Sequence, residues 1–185
     1  HGIGRRQRQM CIRDSLRGAV DQARVRGMAI AVDVNWRPTF WNADADPSAG
    51  PSPSALAAIR PLLEQAALIK LAREEAIWFF GSAQAQEISG LLPQAPDVVV
   101  TDGAEPVTWW MEGASGSLAA FRPSDVVDTT GAGDAFTAGL LHCWDLPPAH
   151  RVRFAAGCGA LVCSGAGGID PQPSAPEVEA FIAGE

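Results

Sequence analysis

A glycine-rich turn followed directly by an acidic residue is the part of this sequence with the most evident chemistry. Residues 128–134 read Asp-Thr-Thr-Gly-Ala-Gly-Asp, and the apolar run 135–141 follows at once. Small residues let a ligand approach the backbone closely. The first N–H groups of a helix have no internal acceptor and carry the positive end of its dipole. The segment is therefore typical of an anion site, and phosphate is the usual anion.

Asp134, which ends this turn, is open to two interpretations. A carboxylate beside a phosphate is repulsive unless it takes a proton from an attacking hydroxyl, as aspartates do in kinases. Such a general base typically contributes a factor of about 100 to 10,000 to the rate. The alternative is an ordinary acidic residue that caps the start of a helix. The residues alone favour neither interpretation.

Two better-known phosphate motifs do not match the turn. A P-loop requires a lysine directly after its last glycine, and Asp134 stands there instead. The dinucleotide fingerprint GxGxxG requires a third glycine three positions on, but the next glycine here is Gly139. The pattern therefore disfavours a P-loop enzyme and a Rossmann oxidoreductase.

The run DTTGAGDAFTAGLL, residues 128–141, resembles the second signature of the PfkB (ribokinase-like) carbohydrate kinases. The resemblance implies that Asp134 deprotonates a sugar hydroxyl and that ATP with Mg²⁺ is the phosphoryl donor. It implies an anion hole formed by the backbone of Gly131, Ala132 and Gly133.

A second segment, residues 33–41, reads DVNWRPTFW and resembles the DxNxRPxxW segment of fructokinases and 2-keto-3-deoxygluconate kinases. Asp33, Asn35 and Arg37 alternate, so they are predicted to point to one side of an extended segment. They follow an apolar strand, at the end where open α/β sheets bind ligands. The resemblance implies that Asn35 and Arg37 contact substrate; the alternative is a solvated loop.

Residues 67–75 resemble a fructokinase segment in which a lysine precedes a glutamate. Lys70 would reach a nucleotide phosphate as a point charge, and Glu75 would act on the magnesium shell through water. Ala72 stands where the family usually has Asn or Ser, which weakens the magnesium role. The alternative is a surface Lys and Glu flanking a helix start.

Two further resemblances concern the nucleotide and a cation. Thr101 and Gly103 match the first positions of a TxGxxG strand end that lies near the nucleotide in the family, whereas Pro106 replaces the last glycine and removes a backbone donor. Asp128 and Thr130 would contribute oxygens to a monovalent cation, with K⁺ as the candidate.

Composition limits the class of protein. The chain has 185 residues, 47% of them hydrophobic and 19% charged, which is typical of one globular domain. Its formal net charge of -7 argues against a nucleic-acid partner. No apolar run approaches the ~20 residues of a membrane span. The four cysteines form no CxxC pair, so reduced thiols and a cytoplasmic location are expected.

Hydrophobic periodicity and turn residues predict alternating strands and helices, hence an α/β fold around a mostly parallel sheet. The resemblance to the PfkB family implies that this fold is the three-layer ribokinase-like one. Strands are predicted at 28–34, 67–71 and 97–101, with a hairpin of 106–111 and 116–121. Helices are predicted at 16–26, 54–66, 73–80, 132–144, 149–163 and 176–183, and residues 88–92 are predicted to end a further short helix. Pro61 is predicted to kink or break the helix at 54–66. A loop is predicted at 38–53.

Two parts of the chain qualify the assignment. Residues 1–15 are basic and lack an apolar period, so they are predicted to be an appended or disordered tail; a nucleic-acid arm is the alternative. Residues 16–185 resemble only the later part of the family pattern, so the family's opening strands and the small β-sheet lid over its active site are expected to be absent.

The function predicted from the sequence is that of a sugar kinase, closest to fructokinase. The alternatives are 2-keto-3-deoxygluconate kinase, another PfkB sugar or nucleoside kinase, or an inactive nucleotide-binding fragment; a homodimer stays open.

Overall fold

The computed structural model describes residues 5–123 and 125–184, with side chains from residue 14 onward. The helices are α1 (Arg5–Val25), α2 (Pro38–Trp41), α3 (Pro53–Leu63), α4 (Arg73–Phe80), α5 (Ala85–Gly90), α6 (Ala132–His142), α7 (Pro148–Val162) and α8 (Ala175–Ala183). The strands are β1 (Ala31–Asp33), β2 (Leu68–Ala72), β3 (Asp97–Asp102), β4 (Glu105–Met111) and β5 (Ala114–Leu118).

The five strands form one sheet in the order β1-β2-β3-β4-β5. β1, β2 and β3 are parallel, β4 is antiparallel to β3, and β5 is antiparallel to β4. Four strands therefore run in one direction, and β4 alone opposes them. The predicted α/β fold is confirmed, and so is the predicted hairpin. The parallel register brings the carboxyl ends of β1, β2 and β3 to one edge of the sheet.

Alternation along the strands builds one core on each face of this sheet. On the first face, Ile69 and Leu71 of β2 pack with residues of α3, α4 and α5, all fully buried or nearly so. On the second face, Leu68 of β2 packs with Phe136 and Leu140 of α6 and with α7. Lys70 has the same parity as Leu68, so it points to the face that α6 covers.

Three sequence predictions differ from the structure in detail. The first helix begins at Arg5 rather than Leu16, and part of the predicted tail, residues 1–4, lies outside the described residues. The predicted loop 38–53 opens with the short helix α2, where Pro38 supplies the fixed φ of a first helical turn. Pro61 does not break α3, which continues to Leu63. No helix within the described ranges is long and apolar enough to cross a membrane.

Candidate active site

The start of α6 depends on a glycine in the left-handed region. Gly131 is the N-cap residue, with φ 83° and ψ -5°. A Cβ at this position would lie 2.8 Å from the Cα of Gly168, so a side chain would be both strained and blocked. The turn is thus held against the loop that follows α7, and the helix starts at Ala132.

The first turn of α6 presents free backbone donors. Ala132 N donates to Thr129 O at 3.2 Å and Ala135 N donates to Gly131 O at 2.8 Å. The N–H groups of Gly131, Gly133 and Asp134 have no acceptor among the residues that the structure describes. Gly133 and Asp134 are exposed, so an anion can reach these donors. Of the three predicted anion-hole residues, Ala132 alone already uses its amide.

Asp134 lies at the carboxyl edge of the sheet. Its Oδ1 accepts a hydrogen bond from Asn35 Nδ2 at 3.5 Å, across from the end of β1. The pairing joins two residues that the sequence assigned to separate motifs. The exposed carboxylate stands on the same helical turn as the free amides, so a group that can accept a proton lies beside donors that can bind an anion.

The predicted alternation of Asp33, Asn35 and Arg37 is wrong in its geometry. β1 ends at Asp33, and Asn35 has φ 43°, which is outside the extended region. The chain therefore turns after the strand, and Asp33 and Asn35 approach α6 separately. Arg37 is exposed, and its Nη1 donates to Trp36 O at 2.9 Å. Its role toward substrate stays a prediction.

Lys70 is not the surface side chain of the alternative interpretation. It is 7% exposed, and its Nζ lies 3.3 Å from Asp33 Oδ2. Thr137 Oγ1 donates to the same Asp33 oxygen at 2.7 Å. A Cβ on Gly133 would lie 3.0 Å from Lys70 Nζ, so the ammonium group sits directly against the turn. Sequence reasoning missed Thr137 entirely and gave Asp33 no role of its own.

Glu75 is buried and bridges two elements rather than facing solvent. Its Oε1 accepts from Trp36 N at 2.5 Å, and its Oε2 accepts from Ala72 N at 2.8 Å. The side chain therefore ties the segment after β1 to the start of α4 and satisfies two backbone donors. The alternative of a surface glutamate is wrong, and the proposed part in a magnesium shell stays a prediction.

Thr101 and Gly103 lie at the same edge, at the end of β3. Thr101 Oγ1 donates to Leu71 O at 3.4 Å, and Gly103 turns the chain into β4 with φ 56°. Arg73, at the start of α4, pairs with Asp102 at 3.6 Å. The structure brings the predicted nucleotide residues to the edge that carries Asp134, although none of them contacts Asp134.

Asp128 ties the glycine turn to the loop after α7. Its Oδ1 accepts from Thr130 N at 2.9 Å and from Thr130 Oγ1 at 2.7 Å, while Oδ2 accepts from Gly167 N at 2.9 Å. These bonds lower the pKa of Asp128, with the Thr130 amide as the largest cause, then the Gly167 amide. Asp128 and Thr130 are thus held in one turn, and their part in binding K⁺ stays a prediction. Within the described part of the chain, no group of three or more acidic, His or Cys residues could hold a metal.

Comparison with known proteins gives the family. The sequence pattern of the pfkB family carbohydrate kinases matches residues 14–175. A fructokinase of Vibrio alginolyticus is 29% identical over 182 residues, which are 92% of this chain and 56% of that protein. A probable chloroplastic fructokinase of Arabidopsis thaliana is 31% identical, over 84% of this chain and 42% of its own length.

Solved structures agree with this match. The fructokinase of Xylella fastidiosa with bound ATP superposes with a TM-score of 0.75 at 26% identity, over 94% of this chain and 57% of that one. The chain spans about half the length of the curated relatives it matches. The residues that match the family run from within α1 through the glycine turn to the first residue of α8. This chain belongs to the pfkB family of carbohydrate kinases.

Proposed function

We propose that the full-length protein containing this chain is an ATP-dependent sugar kinase, with fructose as the first candidate acceptor. The observation that carries the proposal is the first turn of α6, where the exposed Asp134 carboxylate adjoins the free amides of Gly131 and Gly133. The relatives named fructokinase support the acceptor. The chain would form the later part of the active site, with the sugar-binding part and the lid upstream.

The chemistry follows from this arrangement. The substrate is Mg-ATP, and its transferring γ-phosphoryl group would lie against the free amides. Asp134 would take the proton from a primary sugar hydroxyl, and the resulting oxygen would bond to the γ-phosphorus while the bond to the β–γ bridging oxygen breaks. ADP and the sugar phosphate leave, and Asp134 returns its proton to solvent. The amides stabilise charge in transfer, and one such donor typically contributes about 3 kcal/mol to lowering the barrier.

The loop around Asp128 bears on the cation question. A structure of a mutant Vibrio cholerae fructokinase holds fructose, ADP and a potassium ion, and it superposes with a TM-score of 0.75 at 26% identity over 91% of this chain and 55% of that one. Asp128 and Thr130 would offer their side-chain oxygens to a monovalent cation, and no step is routed through that ion. K⁺ stimulation and pairing of two full-length subunits stay predictions.

The test is sugar phosphorylation by the full-length protein, obtained by extending the reading frame upstream of Leu16. Asp134→Asn should lower kcat with fructose by at least about 1,000-fold, consistent with loss of a general base, while ADP binding stays within threefold. Asp145→Asn is the matched control, because Asp145 is an exposed aspartate in the loop after α6. Turnover retained in Asp134→Asn would remove the base from its role.

A substrate panel separates the acceptors. We expect the highest kcat/KM with fructose, compared with 2-keto-3-deoxygluconate and a purine nucleoside. A higher value with either competitor would change the substrate but keep the reaction class. Nucleotide binding without phosphorylation of any of the three would instead favour a non-catalytic binding protein.

A further inference from the structure

A buried ion pair lies beneath the first turn of α6. The side chains of Lys70 and Asp33 are 9% and 15% exposed, with Nζ 3.3 Å from Oδ2. The two residues are direct partners in the register of β1 and β2, with Asp33 at the carboxyl end of β1 and Lys70 in the middle of β2. Removing a charge from water is costly unless it is paired, so each of these residues requires the other.

The pair is connected to α6 by two contacts. Thr137 Oγ1 lies 2.7 Å from Asp33 Oδ2 and 3.0 Å from Gly133 O. A hydroxyl has one hydrogen, so the carboxylate and the carbonyl share it. Asp33 thereby accepts from β2 and from α6 at once. This carboxylate fixes the distance between the sheet edge and the helix start.

The second contact is the close approach of the ammonium group to Gly133. Because Gly133 has no side chain, Lys70 Nζ can lie 3.0 Å from the position that a Cβ on Gly133 would occupy. Gly133 is also one of the residues whose N–H has no acceptor in the described part of the chain. A buried positive charge and a free donor therefore meet at one residue of the turn.

We propose that Asp33 is a positioning residue that holds the Lys70 ammonium against the α6 turn, so that Lys70 strengthens the anion site from within the protein. Lys70 then acts on the phosphoryl group through the turn, not as a free side chain that extends to the nucleotide. Thr137 completes the arrangement by bonding the same carboxylate. This inference rests on the proposed kinase function.

The arrangement predicts that Asp33 affects the use of Mg-ATP chiefly through Lys70. In the full-length protein, Asp33→Asn should lower kcat/KM for Mg-ATP about tenfold or more, because the ammonium group loses its fixed position. In the Lys70→Met background, the same substitution should change kcat/KM by less than about twofold, since residues that act as one unit are strongly non-additive. Thr137→Val should lower kcat/KM for Mg-ATP several-fold, and Thr137→Ser, which keeps the hydroxyl, should retain most of the wild-type value.

Asp97→Asn is the matched control. Asp97 pairs with the buried Arg151 at 3.7 Å, at the amino end of β3 and far from the turn along the strand. It tests whether removing the charge of any carboxylate that pairs with a buried cation lowers activity; Arg151 keeps its closer pair with Glu112 at 2.7 Å. Rates are normalised to folded protein by thermal melting. Equal losses of kcat/KM in Asp33→Asn and Asp97→Asn would overturn the positioning role, and so would an undiminished effect of Asp33→Asn beside Lys70→Met.

Hydrogen exchange supplies a readout that does not need turnover. Without ligand, Asp33→Asn should speed exchange of amides 135–138 at least about fivefold, because an uncharged amide holds Thr137 Oγ1 and Lys70 Nζ less firmly than the carboxylate does. Asp97→Asn should leave these amides unchanged. Unchanged exchange in Asp33→Asn would refute the inference even in an active kinase. Faster exchange in a protein that phosphorylates no sugar would refute the proposed function while retaining the tie between Asp33 and α6.

Discussion

The turn at Gly131 makes a quantitative prediction, because two separate costs meet there. With φ 83°, an alanine at this position would adopt the left-handed conformation, which costs about 1–2 kcal/mol. Its Cβ would also lie 2.8 Å from the Cα of Gly168, a backbone atom that cannot rotate away. Overpacking of this kind costs about 1–3 kcal/mol. Gly131→Ala should therefore lower the free energy of unfolding by about 2–5 kcal/mol.

Gly113→Ala isolates the first cost. Gly113 has φ 78°, in the turn between β4 and β5, and a Cβ there would meet nothing within 4 Å. Gly113→Ala should therefore lower the free energy of unfolding by about 1–2 kcal/mol, which is the conformational cost alone. Urea unfolding of the full-length variants, followed by tryptophan fluorescence, measures both values. If the two substitutions destabilise equally, the contact with Gly168 neither constrains the turn nor anchors the start of α6.

Two predictions concern titrating groups. Hydrogen bonds in the folded state lower the pKa of Asp128, so its stabilising contribution is present above the unfolded value of about 4 and is lost as the pH falls through the lower folded value. The destabilisation caused by Asp128→Asn should therefore shrink in acid, and a constant difference from wild type would contradict this. Burial raises the pKa of Cys158 to about 11, the neighbouring Cys143 adding to the shift, so stability should fall as the pH rises above the unfolded value of about 9. Alkylation of Cys158 at pH 8, followed by mass spectrometry, should be about 100-fold slower in native than in unfolded protein; equal rates would show that the thiol is not buried.

The glycine turn could be predicted from sequence because its determinants are local. Residues 128–141 contain all of them: a left-handed glycine, small neighbours and a following apolar helix. In the structure α6 begins at Ala132, as predicted. The same holds for α4, where Gly81 ends the helix with φ 73° at the predicted position. Short-range backbone chemistry decides these features, so one segment is enough to infer them.

Lys70 shows what local patterns cannot provide. Its segment gives a lysine before a helix, which fits an exposed cation as well as a buried one. Its environment is set by the register of β1 with β2, which puts Asp33 directly beside it, and by α6, which covers that face. These partners lie 37 and more than 60 residues away in sequence. The ion pair can therefore be inferred only from the tertiary arrangement of the strands and the helix, not from the sequence segment.

Thr137 could have been noticed, in part, from its spacing. It stands four residues after Gly133, so its hydroxyl can reach the carbonyl of that residue by the usual helical geometry. Such a bond slightly weakens a helix, and a threonine in an apolar helix start is otherwise a poor choice. The second acceptor, Asp33, explains why a threonine stands at this position, because its hydroxyl joins α6 to the end of β1. The cost to the helix is thus offset by a contact that fixes where the glycine turn lies.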